Sequence, residues 1–317
     1  MNKITVGAVW RTLIKGTNGI WAKDGELVRV DERGFERDRK WVIVNEHGMF
    51  VAQRKGSTTL PIVGRVGLPS SLGAGVEILS MCQIAARIEG EEMLITAPGM
   101  KDCRLPLERA VSPIVTVQVW NNASLTGVDE GKEVSAWLSE FLSREKPGTY
   151  RLVRMTNDCR RPSKRGEAII GFHDSHSFMM MSDKTLGELN GRLFGSGAFV
   201  VQADRFRPNI WFRDCDAHAE DFLDHIRIGD VEFRGGKLCD RCLVTCTDQK
   251  TAVRGSEPLA TLATYRRGRN FAKLRGYENA EALGLAAKPN AVFLGRYFDH
   301  LNTGIIRIGD RVEVLQD

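Results

Sequence analysis

The chain has no uninterrupted apolar run near the roughly 18 residues that a membrane-spanning helix needs, so no membrane span is expected. The N-terminal MNKITVGAVWRTLIKG has neither the long apolar block nor the small-residue cleavage site of a secretory leader, and a cytoplasmic or similar compartment is the expectation. There is no polybasic run. The net charge of +5, from 45 Lys and Arg against 40 Asp and Glu, is a mild excess. Nucleic acid is therefore not expected as a partner, whereas a phosphate-bearing ligand or an acidic protein partner suits this balance. Low-complexity segments and long structureless linkers are missing too. Without a leader, seven cysteines in a chain of this size do not form a secreted disulfide framework, and their odd number points the same way.

The 317 residues are enough for one large domain or two ordinary ones, and 42% apolar against 27% charged is a globular composition. The first part reads as short strands. Ile4 to Val9, Glu26 to Val30, and Trp41 to Val44 with Met49 to Ala52 around the turn Asn45–Gly48 are rich in β-branched and aromatic residues. Further short apolar stretches at 75–79, 83–88 and 93–95 extend the pattern toward a barrel or sandwich. Val134, Trp137, Leu138, Phe141 and Leu142 then repeat with helical period, and Lys146-Pro147-Gly148 stops the helix. Beyond it strands and helices mix, with Ser182 as a helix N-cap after the strand Phe178–Met181. The fold class is α+β and strand-rich: a β-barrel-like N-terminal domain over 1–145, then a mixed barrel and helix domain over 146–317.

Three of the cysteines fall within eight residues, in Leu238-Cys239-Asp240-Arg241-Cys242-Leu243-Val244-Thr245-Cys246. A structural zinc site needs about four ligands, and no second Cys/His pair stands at suitable spacing. A dithiol redox pair belongs at a helix N-terminus, whereas both flanks here, Val231–Phe233 and Leu243–Thr247, read as strands. The remaining readings are one thiolate holding a soft metal from an inter-strand loop, favoured by Arg241 beside Cys242, and a set of inert buried cysteines.

The cysteine segment resembles the cysteine loop of MOSC-domain proteins, a Cys-x-Arg-Cys followed by an aliphatic, threonine-rich stretch. Asp204-Arg205-Phe206-Arg207-Pro208-Asn209-Ile210 is similar to that family's Phe-Arg-Pro-Asn block. Glu36-Arg37-Asp38-Arg39-Lys40-Trp41 with Gln53-Arg54 resembles signals of the N-terminal β-barrel that precedes MOSC. Within the family, the pattern is similar to the group of the mitochondrial amidoxime-reducing component and its bacterial relatives, over nearly the whole chain.

The resemblance implies a molybdenum cofactor, Mo-molybdopterin, with Cys242 as the metal ligand. It further implies cofactor contacts from Lys15, Gly16, Arg39, Ser175, His176, Arg207, Asn209, Asp240 and Arg241, the basic members suiting the pterin phosphate. Gly16 stands where the family has serine, and His176 likewise. Asp38 is placed to orient Arg39. The implied activity is oxygen-atom transfer from N-hydroxylated compounds such as amidoximes, hydroxylamines or N-hydroxylated purine analogues, with Asp240 or a water delivering protons. No cysteine follows Cys246 to build a ferredoxin cluster, so a separate electron donor is expected: a flavin reductase, ferredoxin or cytochrome. The alternatives are a cofactor carrier or sulfur-handling protein without turnover of its own, and a zinc-stabilised binding module.

Overall fold

The strand Phe178–Ser182 reads as an unbroken apolar run because both of its faces are buried. Alternate side chains divide between two cores. Phe178 and Met180 join Ile210, Phe212, Phe233 and Phe298 on one face, while Met179 and Met181 join Leu189, Leu193, Trp211 and Leu262 on the other. A computed structural model of the chain describes residues 3–54, 75–108, 113–120, 122–271, 276–277, 281 and 283–316.

This strand lies near the middle of an eight-stranded sheet. Across the sheet the order is Ile20–Trp21, Thr5–Arg11, Ile210–Arg213, Phe178–Ser182, Phe293–His300, Val231–Asp240, His225–Ile228 and Val312–Val314. Phe178–Ser182 and Ile210–Arg213 run parallel, and the connection between them carries the helix Asp183–Gly195. Ser182 caps that helix as its sequence position suggests, its hydroxyl accepting from the Thr185 N–H at 3.1 Å. Leu189 and Leu193, one turn apart, bury the helix against the sheet.

A second sheet runs Ile114–Val119, Asn122–Asp129, Tyr150–Met155, Trp41–Asn45. Here too alternation sorts the side chains. Trp41 and Ile43 face a core closed by Val134, Leu138, Phe141 and Leu142 of the helix Lys132–Leu142, and Val42 and Val44 face another with Phe50 and Phe172. The Asn45–Gly48 turn forms as expected. The Asn45 carboxamide oxygen accepts from the N–H groups of His47 and Met49, and Gly48 takes the left-handed φ of +74° that a side chain disfavours. A hairpin pair, Ala85–Glu89 with Glu92–Thr96, adds Cys103–Pro106 on its edge.

The chain is an α+β, strand-rich protein, and its two ends are interleaved. Thr5–Arg11 from the start of the chain pairs with Ile210–Arg213. Val28–Asp31 pairs with Gly304–Ile306 near the end. Tyr150–Met155, from beyond the helix Lys132–Leu142, returns to pair with Trp41–Asn45. The early and late segments therefore meet along hydrogen-bonded ladders, and the cleft between them has walls fixed from both sides.

One local expectation is corrected. Leu243–Thr247 is not a strand. The last ladder bond of this segment is Arg241 N–H to the Val292 carbonyl at 2.8 Å, and Leu243–Cys246 then winds into a 3-10 turn. The turn forms because the Cys242 carbonyl accepts from both the N–H (3.2 Å) and the hydroxyl (3.0 Å) of Thr245, so threonine serves a turn rather than a sheet.

Candidate functional site

A cleft of about 610 Å³ opens between the interleaved halves. Lys15, Gly16, Arg39, Ser175, His176, Arg207, Asn209, Asp240, Arg241 and Cys242 all line it. Ten residues picked from five separate stretches of sequence thus converge on one concavity. Gln53, Arg54, Trp120, His173, Asp174, Lys237, Lys288 and Tyr297 also line it and were not picked.

Cys242 sits just past the end of the strand Val231–Asp240, with extended backbone at φ −121° and ψ 178°. Its carbonyl is tied to Thr245, which fixes the main chain, while its thiol is half-buried and has no hydrogen-bond partner among the described residues. Cys239 differs. It is 3% exposed, packs with Met181, Leu189 and Leu294, and burial pushes its thiol pKa up. Cys246 is buried as well, donating to the Ser256 carbonyl at 3.3 Å. Cys242 is therefore the member of the cluster whose sulfur is free to bind something in the cleft. Among the described residues, no three His, Cys, Asp or Glu side chains are grouped to hold a metal ion, which leaves the zinc alternative without a ligand set.

The opposite wall is cationic. Lys15 pairs with Asp174 and Arg39 with Asp38. Burial lowers Lys15 to about 8 although Asp174 opposes the shift, so it remains mostly charged at neutral pH. Arg207 donates to the Thr17 carbonyl and has no carboxylate partner among the described residues. Burial, with the charge of Arg39 added, brings it down only to about 10. A guanidinium without a carboxylate partner among the described residues, beside two further cations, has the chemistry that suits an anion.

Asp38 organises this wall. It is 3% exposed and accepts from Thr12 N–H at 2.6 Å, Asn209 Nδ2 at 2.9 Å, His173 Nε2 at 3.1 Å, and Arg39. Burial works against its charge, but Arg39, His173 and the Thr12 N–H prevail and hold it at about 2. Asp38 and Arg39 are thus paired in the geometry, as either an ordinary salt bridge or an orienting contact requires. Asp174, which also accepts from Trp120 Nε1 at 2.7 Å, is held low by Lys15 and that indole N–H.

Several expected contact residues have their polar atoms already committed. The Asn209 amide spans Asp38 and the Met179 N–H, the latter at 3.2 Å. Arg241 donates to the carbonyls of Leu294 at 2.8 Å and Phe206 at 3.1 Å. Both shape the cleft floor. His176 is buried, stacked on Tyr297 with centroids 5.0 Å apart, and its Nδ1 lies 3.3 Å from Asp299. Ser175 stays half-buried at the surface of the cleft, its carbonyl accepting from Lys164 N–H at 2.7 Å. Asp240 is gripped by Lys237 at 2.8 Å and Lys288 at 2.6 Å, which outweigh burial and hold it at about 2. An ionised carboxylate between two ammonium groups does not donate a proton at neutral pH, so the expected acid role for Asp240 is not what this geometry offers.

Gly16 has a local explanation. Its φ is +88°, so serine there meets backbone strain, and an added Cβ would lie 2.5 Å from the flexible end of Met81, which would have to shift. Its carbonyl accepts from Gln53 Nε2 at 2.7 Å, linking the 14–17 turn to the 51–54 segment.

The MOSC domain model matches residues 167–313, the segment that supplies the cysteine loop and the 173–176 and 205–209 stretches of the cleft. The MOSC N-terminal beta barrel domain model matches residues 79–145. This is a MOSC-domain protein. Mitochondrial amidoxime-reducing component 1 of Homo sapiens is 29% identical to it, the match covering 98% of this chain and 83% of that one. The component 1 of Danio rerio is 28% identical, with 97% and 84% covered. Mitochondrial amidoxime reducing component 2 of Rattus norvegicus is 27% identical, with 99% and 84% covered. No helix among the described residues of this MOSC-domain protein is long and apolar enough to cross a membrane.

Proposed function

We propose that this protein reduces N-hydroxylated compounds such as amidoximes, using a molybdenum cofactor held in the cleft and electrons from a separate donor protein. The observation that carries the reading is the convergence of Lys15, Arg39, Arg207 and Cys242 on one cavity. The names of the relatives, amidoxime-reducing components, support the substrate class.

The residues present fit such a group. A pterin phosphate needs cations and donors, and the wall of Lys15, Arg39 and Arg207 supplies them, with Arg207 lacking a carboxylate of its own among the described residues. A soft metal suits a thiolate, and the Cys242 sulfur is the free one in the cysteine segment. When bound, the cofactor supplies the two-electron removal of oxygen: an amidoxime plus two electrons and two protons gives an amidine and water.

The chain's own contribution is positional. Cys242 would hold the metal, Arg39, fixed by Asp38, would meet the phosphate, and Asp240 holds Lys237 and Lys288 beside the cleft. The test is metal analysis of the full chain purified from cells that make the cofactor, followed by benzamidoxime reduction with a dye as electron donor. Molybdenum in roughly stoichiometric amount together with turnover is the expected result. Zinc alone overturns the reading, and tightly held molybdenum with no reduction of any N-hydroxylated compound makes the protein a carrier.

A further inference from the structure

His173 was not among the residues the sequence pointed to, and the chemistry above does not use it. It lies on the cleft surface, is 2% exposed, and its two ring nitrogens have different fates. Nε2 faces Asp38 Oδ2 at 3.1 Å. Nδ1 is buried with no hydrogen-bond partner among the described residues. Because Asp38 is an ionised acceptor, the ring proton belongs on Nε2, which leaves a lone pair on Nδ1. A buried acceptor without a donor costs about 1–3 kcal/mol, so the site is complete only when something donates there.

The neighbours do not fill this need. Lys15 points to Asp174, Arg39 to Asp38, and Arg161 to the carbonyls of Gly171 and His173 itself. We propose that His173 Nδ1 accepts a hydrogen bond from a ring N–H of the pterin, binding the heterocycle while the cationic wall binds its phosphate. This rests on the reading that a molybdopterin occupies the cleft. His173 belongs to the lining of the cleft and adds an acceptor where every nearby cation is a donor. Asp38 thereby serves two ends of the ligand at once: it orients Arg39 and it sets the tautomer of His173.

Two isosteres separate this role from a structural one. In His173→Gln the amide takes the place of Nε2, keeping the tie to Asp38 and removing the acceptor at Nδ1. In His173→Asn the amide takes the place of Nδ1, keeping an acceptor and losing the tie. Both full-length proteins are purified from cofactor-producing cells and assayed for bound pterin, by fluorescence after oxidation, and for pterin release on dilution. The expected order is His173→Gln releasing pterin at least about tenfold faster than wild type, with His173→Asn retaining it better despite a lower melting temperature. A purely structural histidine gives the reverse order, and pterin held by His173→Gln as firmly as by wild type overturns the inference alone. Wild-type protein without pterin overturns the cofactor reading and this inference together. Should either variant fold poorly, nitrogen-15 histidine spectra of the wild type decide: the Nδ1 resonance shifts upfield on loading if it gains a donor, and an unchanged resonance refutes the contact.

Discussion

Cys242→Ser is expected to abolish molybdenum retention and to cut benzamidoxime turnover by at least on the order of a hundredfold, the upper end of what loss of a mere supporting contact costs. Serine is close in size, but its hydroxyl is a hard, barely acidic donor that does not replace a thiolate toward a soft metal. The fold is expected to be untouched. The side chain is half-buried, its sulfur makes no hydrogen bond among the described residues, and the local turn is held by the Cys242 carbonyl rather than by its thiol. Denaturation midpoints of variant and wild type, both without metal, should therefore coincide. Cys239→Ser makes the opposite pattern. It places a hydroxyl in the apolar cluster of Met181, Leu189 and Leu294, so stability falls while part of the turnover survives. Equal turnover in Cys242→Ser and wild type would move the metal ligand to another group.

Arg241 and the family resemblance already pointed to Cys242, but the physical contrast between these two cysteines, three positions apart, was hidden in the sequence. It comes from the strand that carries them. Along Val231–Asp240 alternate residues face opposite sides, and Cys239 falls on the side covered by the helix Asp183–Gly195, while Cys242 lies past the last ladder bond. Short-range features of this kind were otherwise legible: the Ser182 cap, the helix Lys132–Leu142 and the Asn45–Gly48 turn each follow from a few neighbouring residues. The 243–247 segment misled because β-branched residues were read as strand formers, whereas the segment winds into a 3-10 turn that no strand among the described residues pairs with.

Motif order, through the family resemblance, was enough to gather ten lining residues that singly carry ordinary readings. The supporting set was not legible, since its logic is pairwise and long-range. Asp38 meets His173 across 135 positions and Asn209 across 171, and Gln53 meets Gln249 across 196. Nothing in the spacing of these residues announces the contacts. They exist because strands from the start of the chain are built into the sheet of its end. That interleaving also gives the cleft its rigidity: the cations and the thiol sit on segments that cannot separate without breaking sheet ladders, as a preorganised site requires.

Asp38→Asn tests that rigidity and is expected to be the most destabilising single change in the cleft. The carboxylate is the shared acceptor for the Thr12 N–H, Asn209 Nδ2, His173 Nε2 and Arg39, four groups from four segments. Asparagine has one acceptor oxygen and brings an NH2 that must face other donors, leaving the Arg39 cation without its counter-ion in a buried setting. Breaking a buried pair from one side costs about 3–5 kcal/mol, enough to shift a denaturation midpoint plainly at pH 7. The pH dependence follows from the depressed pKa, about 2 in the folded protein against 3.8 ordinarily. A lowered carboxylate pKa gives stability that is fully present above the ordinary value and is lost as pH falls through the folded one. The gap in stability between wild type and Asp38→Asn should therefore be constant from neutral pH down to about pH 4 and narrow between there and pH 2. Because carboxylates remote from it titrate equally in both proteins, the difference reports on Asp38 together with His173, which is bonded to it. A gap below about 1 kcal/mol at pH 7, or one that does not narrow in acid, would mean that the four donors find other acceptors and that Asp38 is not what holds the cationic wall in place.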